Sequence, residues 1–332
     1  MLKIGTLSLT SGCILAPMAG ISDLPFRLIN RSFGCKFAFA EMISARSLVY
    51  KSRKTARMMA TVASDRPVGV QLLGNDPEII KAAVETLDDY NFDILDFNAA
   101  CPVAKVTSRG EGAALLNEPR KLQGLLRIMV KHSRVPVTLK IRAGWDENSL
   151  NARDVALYSE DAGVAALTVH GRTRAQGYSG CANYNIIRQV KEALSVPVVA
   201  SGDALTPQLV KRMFDETGCD GVAIARGALG NPWIFGQTAE FLEKGTTPPG
   251  PAVEDLVETM ISHLDLCRDF YGEQLGNMIF RKFFLWYTRG IRDVKTLRKR
   301  AVRSEATAEM TAIIRGLLSL SQVPEHEEGI AC

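Results

Sequence analysis

Five short segments carry residues able to do chemistry, and each stands at the end of an apolar run. Residues 98–105, NAACPVAK, bring an amide (Asn98), a thiol (Cys101), a proline (Pro102) and a cation (Lys105) together directly behind FDILDF. VTLKIR puts Lys140 on one face with Thr138 and Arg142, and Val137, Leu139 and Ile141 on the other. TVHGRT brings His170 and Arg172, while SGD (201–203) and ARG (225–227) set small residues beside Asp203 and Arg226. A thiol on a specified loop can give or take one proton at a reacting carbon. Pro102 fixes the backbone there, and Asn98 can read a polar base edge. A lone cysteine is more often a buried structural residue, so its surroundings must decide. Lys140 demands a negative partner, because an unpaired buried ammonium is costly. Two readings compete, a Schiff-base lysine of an aldolase and a positive group beside an anionic cofactor; the alternative is an internal ion pair with Glu41 or Asp96.

Eight short apolar runs closed by turn residues supply the supports: 14–19, 37–42, 67–74, 92–98, 136–142, 166–171, 197–203 and 220–227. The fourth, with Ile94, Leu95 and Phe97, is the pattern of a parallel strand buried on both faces. Helical patterns separate the runs, from DLPFRLINRSF after the first to TPQLVKRMFDETG after the seventh; SARSLVYKSRKTARMM after the second also reads as helix. Asp76-Pro77 and Thr206-Pro207 place a capping residue before a helix-opening proline. Eight strands alternating with helices predict a (β/α)8 TIM barrel over residues 1–244. An open doubly wound sheet would suit the alternation too, but no G-x-G-x-x-G follows the first strand.

In such a barrel the catalytic groups gather at the carboxyl ends of the strands. Here those ends carry Met18, Glu41, Gln71, Asn98 with Cys101, Lys140 with Arg142, His170 with Arg172, Ser201 with Asp203, and Arg226. The loops after strands seven and eight commonly form a phosphate site, where Ser201, Gly202, Ala225 and Gly227 let backbone amides approach and Arg226 adds charge. Gln71, Lys140 and His170 offer donors to the polar edge of a planar heterocycle whose phosphate lies over those loops, which describes FMN. Lys140 would then stabilise the anionic reduced ring, and Cys101 would face it from the barrel mouth.

Composition sets outer bounds. The 332 residues are 46% hydrophobic and 23% charged, with a formal net charge of +4, too small for a global basic field to carry an argument. Seven scattered cysteines with no Cys-x-x-Cys pair read as reduced thiols and give no metal-ligand spacing. No signal peptide and no membrane span is recognised, so a cytoplasmic protein is expected, with its oligomeric state left open and a monomer sufficient.

Beyond the linker GTTPPGP, residues 245–332 read as a helical-bundle domain: VEDLVETMISHLDLCRDFYG, NMIFRKFFLWYTRGI and a third helix through about Leu320, with EHEEGIAC as a frayed tail. Between 276 and 303 stand Arg281, Lys282, Arg289, Arg292, Lys295, Arg298, Lys299, Arg300 and Arg303 against Asp293 alone, a net of +8. Such a cluster suits a phosphate backbone, although a charge run is usually only a solvated helix face.

APMAGISDLPFR (16–27), VQLLGNDP (70–77), DFNAACPVAKV (96–106), PVTLKIRAGW (136–145), LTVHGRTRAQGYSG (167–180), VPVVASGD (196–203) and AIARGALGNPWIF (223–235) together resemble the tRNA-dihydrouridine synthases, nearest the bacterial DusB-like branch. The resemblance implies an FMN enzyme that uses NADPH to reduce the carbon-carbon double bond of a uracil base in tRNA. By position it implies that Pro17, Met18, Ala19, Gln71, Lys140, His170, Ser201, Gly202, Asp203, Ala225 and Arg226 hold FMN. Cys101 is implied as the acid that protonates carbon-5 after hydride reaches carbon-6, with Asn98 orienting the uracil. Arg172 and Arg174 are expected RNA contacts at the rim, and FRKFFLWYTRG, with Arg281 and Lys282, resembles the family's RNA-binding signature, Phe283 standing where His is usual. The family loop commonly reads Asn-x-Gly-Cys-Pro; Ala100 replaces that Gly, which bars an easy left-handed backbone. Ser201 and Ala225 likewise replace an Asn and a Gly. The rival readings are a flavin enzyme of a free pyrimidine, which needs no basic helical appendage, a dihydrouridine synthase of ribosomal RNA, and a non-catalytic RNA-binding protein.

Overall fold

The computed structural model describes residues 1–320, so the expected frayed tail lies outside the described residues. A short antiparallel hairpin, β1 (Leu2–Ile4) and β2 (Leu7–Leu9), opens the chain. Eight parallel strands then close a barrel: β3 (Cys13–Leu15), β4 (Ala38–Ser44), β5 (Val68–Leu73), β6 (Ile94–Ala99), β7 (Val137–Arg142), β8 (Ala166–His170), β9 (Val198–Ser201) and β10 (Gly221–Ile224), with β10 pairing to β3. All eight expected strands form, and the TIM barrel with a helical region behind it is the observed architecture.

The strand ends differ from expectation for local reasons. The first barrel strand stops at Leu15 because Pro17 has no N–H for the ladder. The seventh stops at Ser201 because Gly202 and Asp203 turn to φ +121° and +59°. The stretch after β4 makes two short helices, Ala45–Val49 and Arg53–Met58, broken where Lys51 adopts φ +52°. The two Asx/Thr caps form as the sequence suggests: Asp76 accepts from the Glu78 and Ile79 amides, and Thr206 from that of Leu209.

The barrel interior is filled in two layers. Ile14, Phe37, Phe39, Ile94, Val199 and Ala223 make an apolar lower layer, against which Leu2, Ile4 and Leu9 of the hairpin pack, so the hairpin plugs the amino-terminal end. Phe37 and Phe39 meet edge to face at 5.0 Å. Gly69 has to lack a side chain there, since a Cβ would lie 2.4 Å from the Phe39 ring. Above this layer the inward positions turn polar. Register aligns Gln71 with Asp96, Asp96 with Thr138, Asn98 with Lys140, Arg142 with His170, and His170 with Ser201.

The helix Ile234–Lys244 ends at left-handed Gly245, and Val253–Tyr271 and Glu273–Tyr287 follow. The expected third helix is two, Lys295–Ala301 and Thr307–Arg315, because the chain turns at Ser304, whose carbonyl accepts from Asn277 and Arg281. Apolar packing is continuous from the barrel into these helices. Phe26 of the helix Leu24–Ser32 stacks on Phe283 at 5.5 Å, and buried His263 lies 4.4 Å from the same ring. Phe283 is wholly buried, so Phe283→Ala is expected to lower unfolding free energy by about 3–5 kcal/mol in urea titrations.

Candidate active site

A cavity of about 360 Å³ opens at the carboxyl ends of the barrel strands. Pro17, Met18, Ala19, Gln71, Asn98, Cys101, Lys140, His170, Ser201, Gly202, Asp203, Ala225 and Arg226 all line it. Every expected cofactor residue and the expected acid therefore surround one space. The size lies within the range of small-molecule sites.

The cysteine loop is held by a directional chain of hydrogen bonds that starts on the barrel floor. Asp96, 2% exposed, accepts from Thr138 Oγ1 at 2.6 Å and from Gln71 Nε2 at 2.6 Å. Gln71 Oε1 accepts from Asn98 Nδ2 at 2.7 Å, and Asn98 Oδ1 accepts from the backbone amides of Ala100 (3.0 Å) and Cys101 (2.8 Å). An ionised carboxylate only accepts, so Asp96 fixes which way both amides point. Burial pushes its pKa up to about 6, against the hydrogen bonds from Gln71 and Thr138 and the attraction of Lys140. Asn98 is thereby a support of the cysteine loop, with at most one N–H left for a ligand.

Arg142, 3% exposed, ties that loop to its neighbour: Nε donates to the Ala100 carbonyl at 2.8 Å, and Nη1 to those of Thr173 and Gly177, each at 2.9 Å. Gly112, at φ +60°, passes so close to Cys101 that a Cβ would lie 2.8 Å from its carbonyl oxygen. Ala100 does not adopt a left-handed backbone, so replacing the family's Gly introduces no strain there. Cys101 is partly exposed with a free thiol, whereas the free thiols Cys13, Cys35, Cys219 and Cys267 are buried. Cys181 is not among the free thiols, contrary to the expectation of a wholly reduced set.

Lys140 has no carboxylate within 4.0 Å among the described residues; its nearest hydrogen-bond partner is Ser201 Oγ at 3.5 Å. The internal ion pair with Glu41 or Asp96 is thus not formed. Burial, with help from Arg142, draws its pKa down to about 8. His170 is held well below the usual imidazole value by burial and by Lys140, Arg142, Arg172 and Arg226, so it is neutral. Its Nδ1 lies 3.4 Å from Ser201 Oγ, and its buried Nε2 has no protein partner. That orphaned nitrogen beside the cavity asks for a polar group from a ligand.

At the opposite end, Gly202 leaves no room for a Cβ, which would stand 2.8 Å from Ala182. Asp203 receives Arg172 at 2.8 Å, Arg226 at 3.1 Å and the Ala182 amide at 2.9 Å. Its carboxylate therefore orients the two arginines. Arg226 keeps 42% of its side chain exposed and can turn donors toward an anion. Met18 commits its N–H to Ser22 Oγ, so it and Pro17 contribute wall surface.

The four expected RNA contacts, Arg172 and Arg174 at the rim and Arg281 and Lys282 in the helical region, are each engaged with groups of the protein itself. Arg172 is only 2% exposed, and besides Asp203 it donates to the carbonyls of Ser179 and Gly180. Arg174 is half-buried over the Trp145 ring at 4.5 Å and reaches Thr107 Oγ1 at 3.4 Å. Arg281 fastens the turn at Ser304, and Lys282 donates to the carbonyl of Gly20 on the loop after β3 while lying 4.8 Å from the Phe283 ring. A basic residue looks the same in sequence whether carbonyl groups or solvent await it. Asp96, Thr138 and Arg142 support the cysteine loop in a way the sequence does not show, although inward alternation along the fourth and fifth strands marks all three. Tyr178, 63% exposed at the cavity edge, lies 5.8 Å from Arg142 and 5.2 Å from Arg226.

The barrel thus presents a polar, cation-lined mouth with a thiol at one side and a glycine-bounded, arginine-flanked recess at the other. The family described as dihydrouridine synthase matches residues 14–320, and the chain belongs to that family. A probable tRNA-dihydrouridine synthase of Rickettsia typhi is 39% identical over 88% of this chain and 89% of its own length. The tRNA-dihydrouridine synthases B of Xanthomonas axonopodis pv. citri and Vibrio vulnificus are 38% and 36% identical, over 95% of both chains and over 99% and 100% respectively. Among solved structures, 6-hydroxypseudooxynicotine amine oxidase from Pseudomonas geniculata N1 superposes with a TM-score of 0.58 at 16% identity, over 79% of this chain and 52% of the other. This chain therefore spans about half of that oxidase, and the likeness is one of fold.

Brief iodoacetamide treatment followed by peptide mass mapping is expected to label Cys101 well ahead of Cys13, Cys35, Cys219 and Cys267.

Proposed function

We propose that the protein reduces uridine to 5,6-dihydrouridine in tRNA, with FMN in the barrel mouth, NADPH as reductant and Cys101 as the proton donor. The observation that carries this reading is the Cys101 loop, oriented over the cavity by the chain from Asp96 through Gln71 and Asn98. Family membership and relatives named for tRNA dihydrouridine synthesis support the substrate. When bound, FMN would supply the hydride that reaches carbon-6 of the base.

The chain's own residues fit the group. His170 Nε2 has no protein partner, Gln71 retains one amide N–H, and Lys140 has a cation without a carboxylate, all on the cavity wall. Lys140 would balance negative charge on the ring. Ser201, Gly202 and Ala225, with Arg226, would take the phosphate. Cys101 would hand its proton to carbon-5 and be reprotonated from solvent, to which it is partly open. Residues 1–244 would bind cofactor and base, and the helical region from 245 would hold the RNA body, which an extruded uridine requires.

The test is mass spectrometry for dihydrouridine in unmodified tRNA and in ribosomal RNA after incubation with the FMN-loaded protein and NADPH. Product in tRNA is expected; product in ribosomal RNA alone, or in neither, contradicts the assignment. Cys101→Ala is expected to lower turnover roughly 10²- to 10⁴-fold while NADPH still reduces the bound flavin.

The pH dependence has a defined window. Below about 6 Asp96 gains a proton and can no longer accept from both Gln71 and Thr138, and above about 8 Lys140 loses its charge. The kcat/KM profile is expected to peak between these values. Lys140→Arg stays ionised at higher pH and is expected to move the alkaline limb upward in the same assay.

A further inference from the structure

We propose that the two short helices behind β4 form a second RNA-docking surface, which takes sugar-phosphate backbone on the barrel side of the cavity. It rests on the reading of the protein as an RNA-modifying enzyme. Between Glu41 and Asp65 the chain holds Arg46, Lys51, Arg53, Lys54 and Arg57 and no acidic residue. All five cations are exposed, and Tyr50 among them is 70% exposed. The side chains of Arg46, Lys51, Arg53 and Lys54 have no ion pair within 4.0 Å and no hydrogen bond among the described residues.

Position turns this composition into a surface with a use. Met42 of β4 lines the cavity, and two residues later Ser44 caps the helix Ala45–Val49, so Arg46 follows directly from the cavity wall. The patch ends at Arg57, whose guanidinium lies 5.7 Å over the ring of Tyr271 in the helical region. Tyr271 in turn donates to Asp23 at 2.8 Å, beside the loop that Lys282 grips at Gly20. The barrel patch thus touches the helical region at Tyr271; further along that region Arg289, Arg292, Lys295, Lys299, Arg300 and Arg303 are exposed while Arg281, Lys282 and Arg298 are committed to internal bonds.

The chemistry favours a repeating polyanion. Cations spread along two helices, with no enclosed recess, match successive phosphates better than one small anion. Tyr50 offers a face on which an unpaired base can stack. A membrane-surface helix would instead show a broad exposed apolar face, and here Leu48 is turned inward and buried.

The test compares the full-length protein with the variant R46Q/K51Q/R53Q/K54Q, which leaves Arg57 on Tyr271, in binding an unmodified tRNA transcript across a salt series. Each lost phosphate contact removes roughly 0.7–0.9 from the slope of log affinity against log salt, so loss of all four is expected to lower the slope by about 3, with affinity down at least ~10-fold at low salt. FMN content and NADPH-dependent flavin reduction are expected to be unchanged. R53Q/K54Q alone is expected to give about half the change, which keeps the test sound if the larger variant folds poorly. An unchanged slope, with wild-type protein binding tRNA tightly, overturns the docking surface and leaves the enzymatic reading intact. No binding by wild-type protein overturns both. Retained tRNA affinity with lost binding to phosphatidylglycerol vesicles overturns the proposal in favour of a membrane-facing surface.

Discussion

A buried carboxylate that can only accept hydrogen bonds organises the mouth of this barrel. Asp96 receives Thr138 and Gln71, and from that commitment the orientation of each later group follows: Gln71 must turn its oxygen to Asn98, and Asn98 its oxygen to the amides of Ala100 and Cys101. An amide chain anchored on a group that could also donate would admit flipped arrangements. The thiol is thus positioned by a residue that need not touch the substrate. Arg142 completes the support by pinning the same loop to the carbonyls of Thr173 and Gly177.

Burial makes this arrangement expensive, and the fold offsets the cost in layers. The apolar lower layer around Phe37 and Phe39, sealed by the hairpin, keeps water out from below, while hydrogen bonds satisfy both carboxylate oxygens of Asp96. Lys140 and neutral His170 retain capacity that no side chain satisfies fully, which is what a cofactor site requires. The helical region bears on the same mouth: Lys282 and Tyr271 reach the loop after β3 through Gly20 and Asp23, and Phe26 packs on Phe283. RNA held by these helices would therefore be registered against the cavity by direct contacts.

Much of this was legible in the sequence because strand periodicity is strict. Alternation in VTLKIR places Thr138, Lys140 and Arg142 inward, and short apolar runs ending in polar residues gave the eight strands and the ring of cavity groups. The N-terminal hairpin was missed because three-residue strands leave too little period to read. Basic residues were the weakest part: Arg172 and Arg281 look like RNA contacts in a string of letters, yet each satisfies backbone carbonyls that only the folded loops bring near. Conversely, the exposed cations from Arg46 to Lys54 were read only as part of a helix, since their exposure depends on the break at Lys51.

The most direct test of the account is amide hydrogen exchange across residues 98–106 in the wild-type protein and in Asp96→Ala. If Asp96 orients the chain, the Ala100 and Cys101 amides lose protection in the variant while β7 and β8 exchange as before. Unchanged protection at those two amides would contradict the claim that the buried carboxylate holds the cysteine loop.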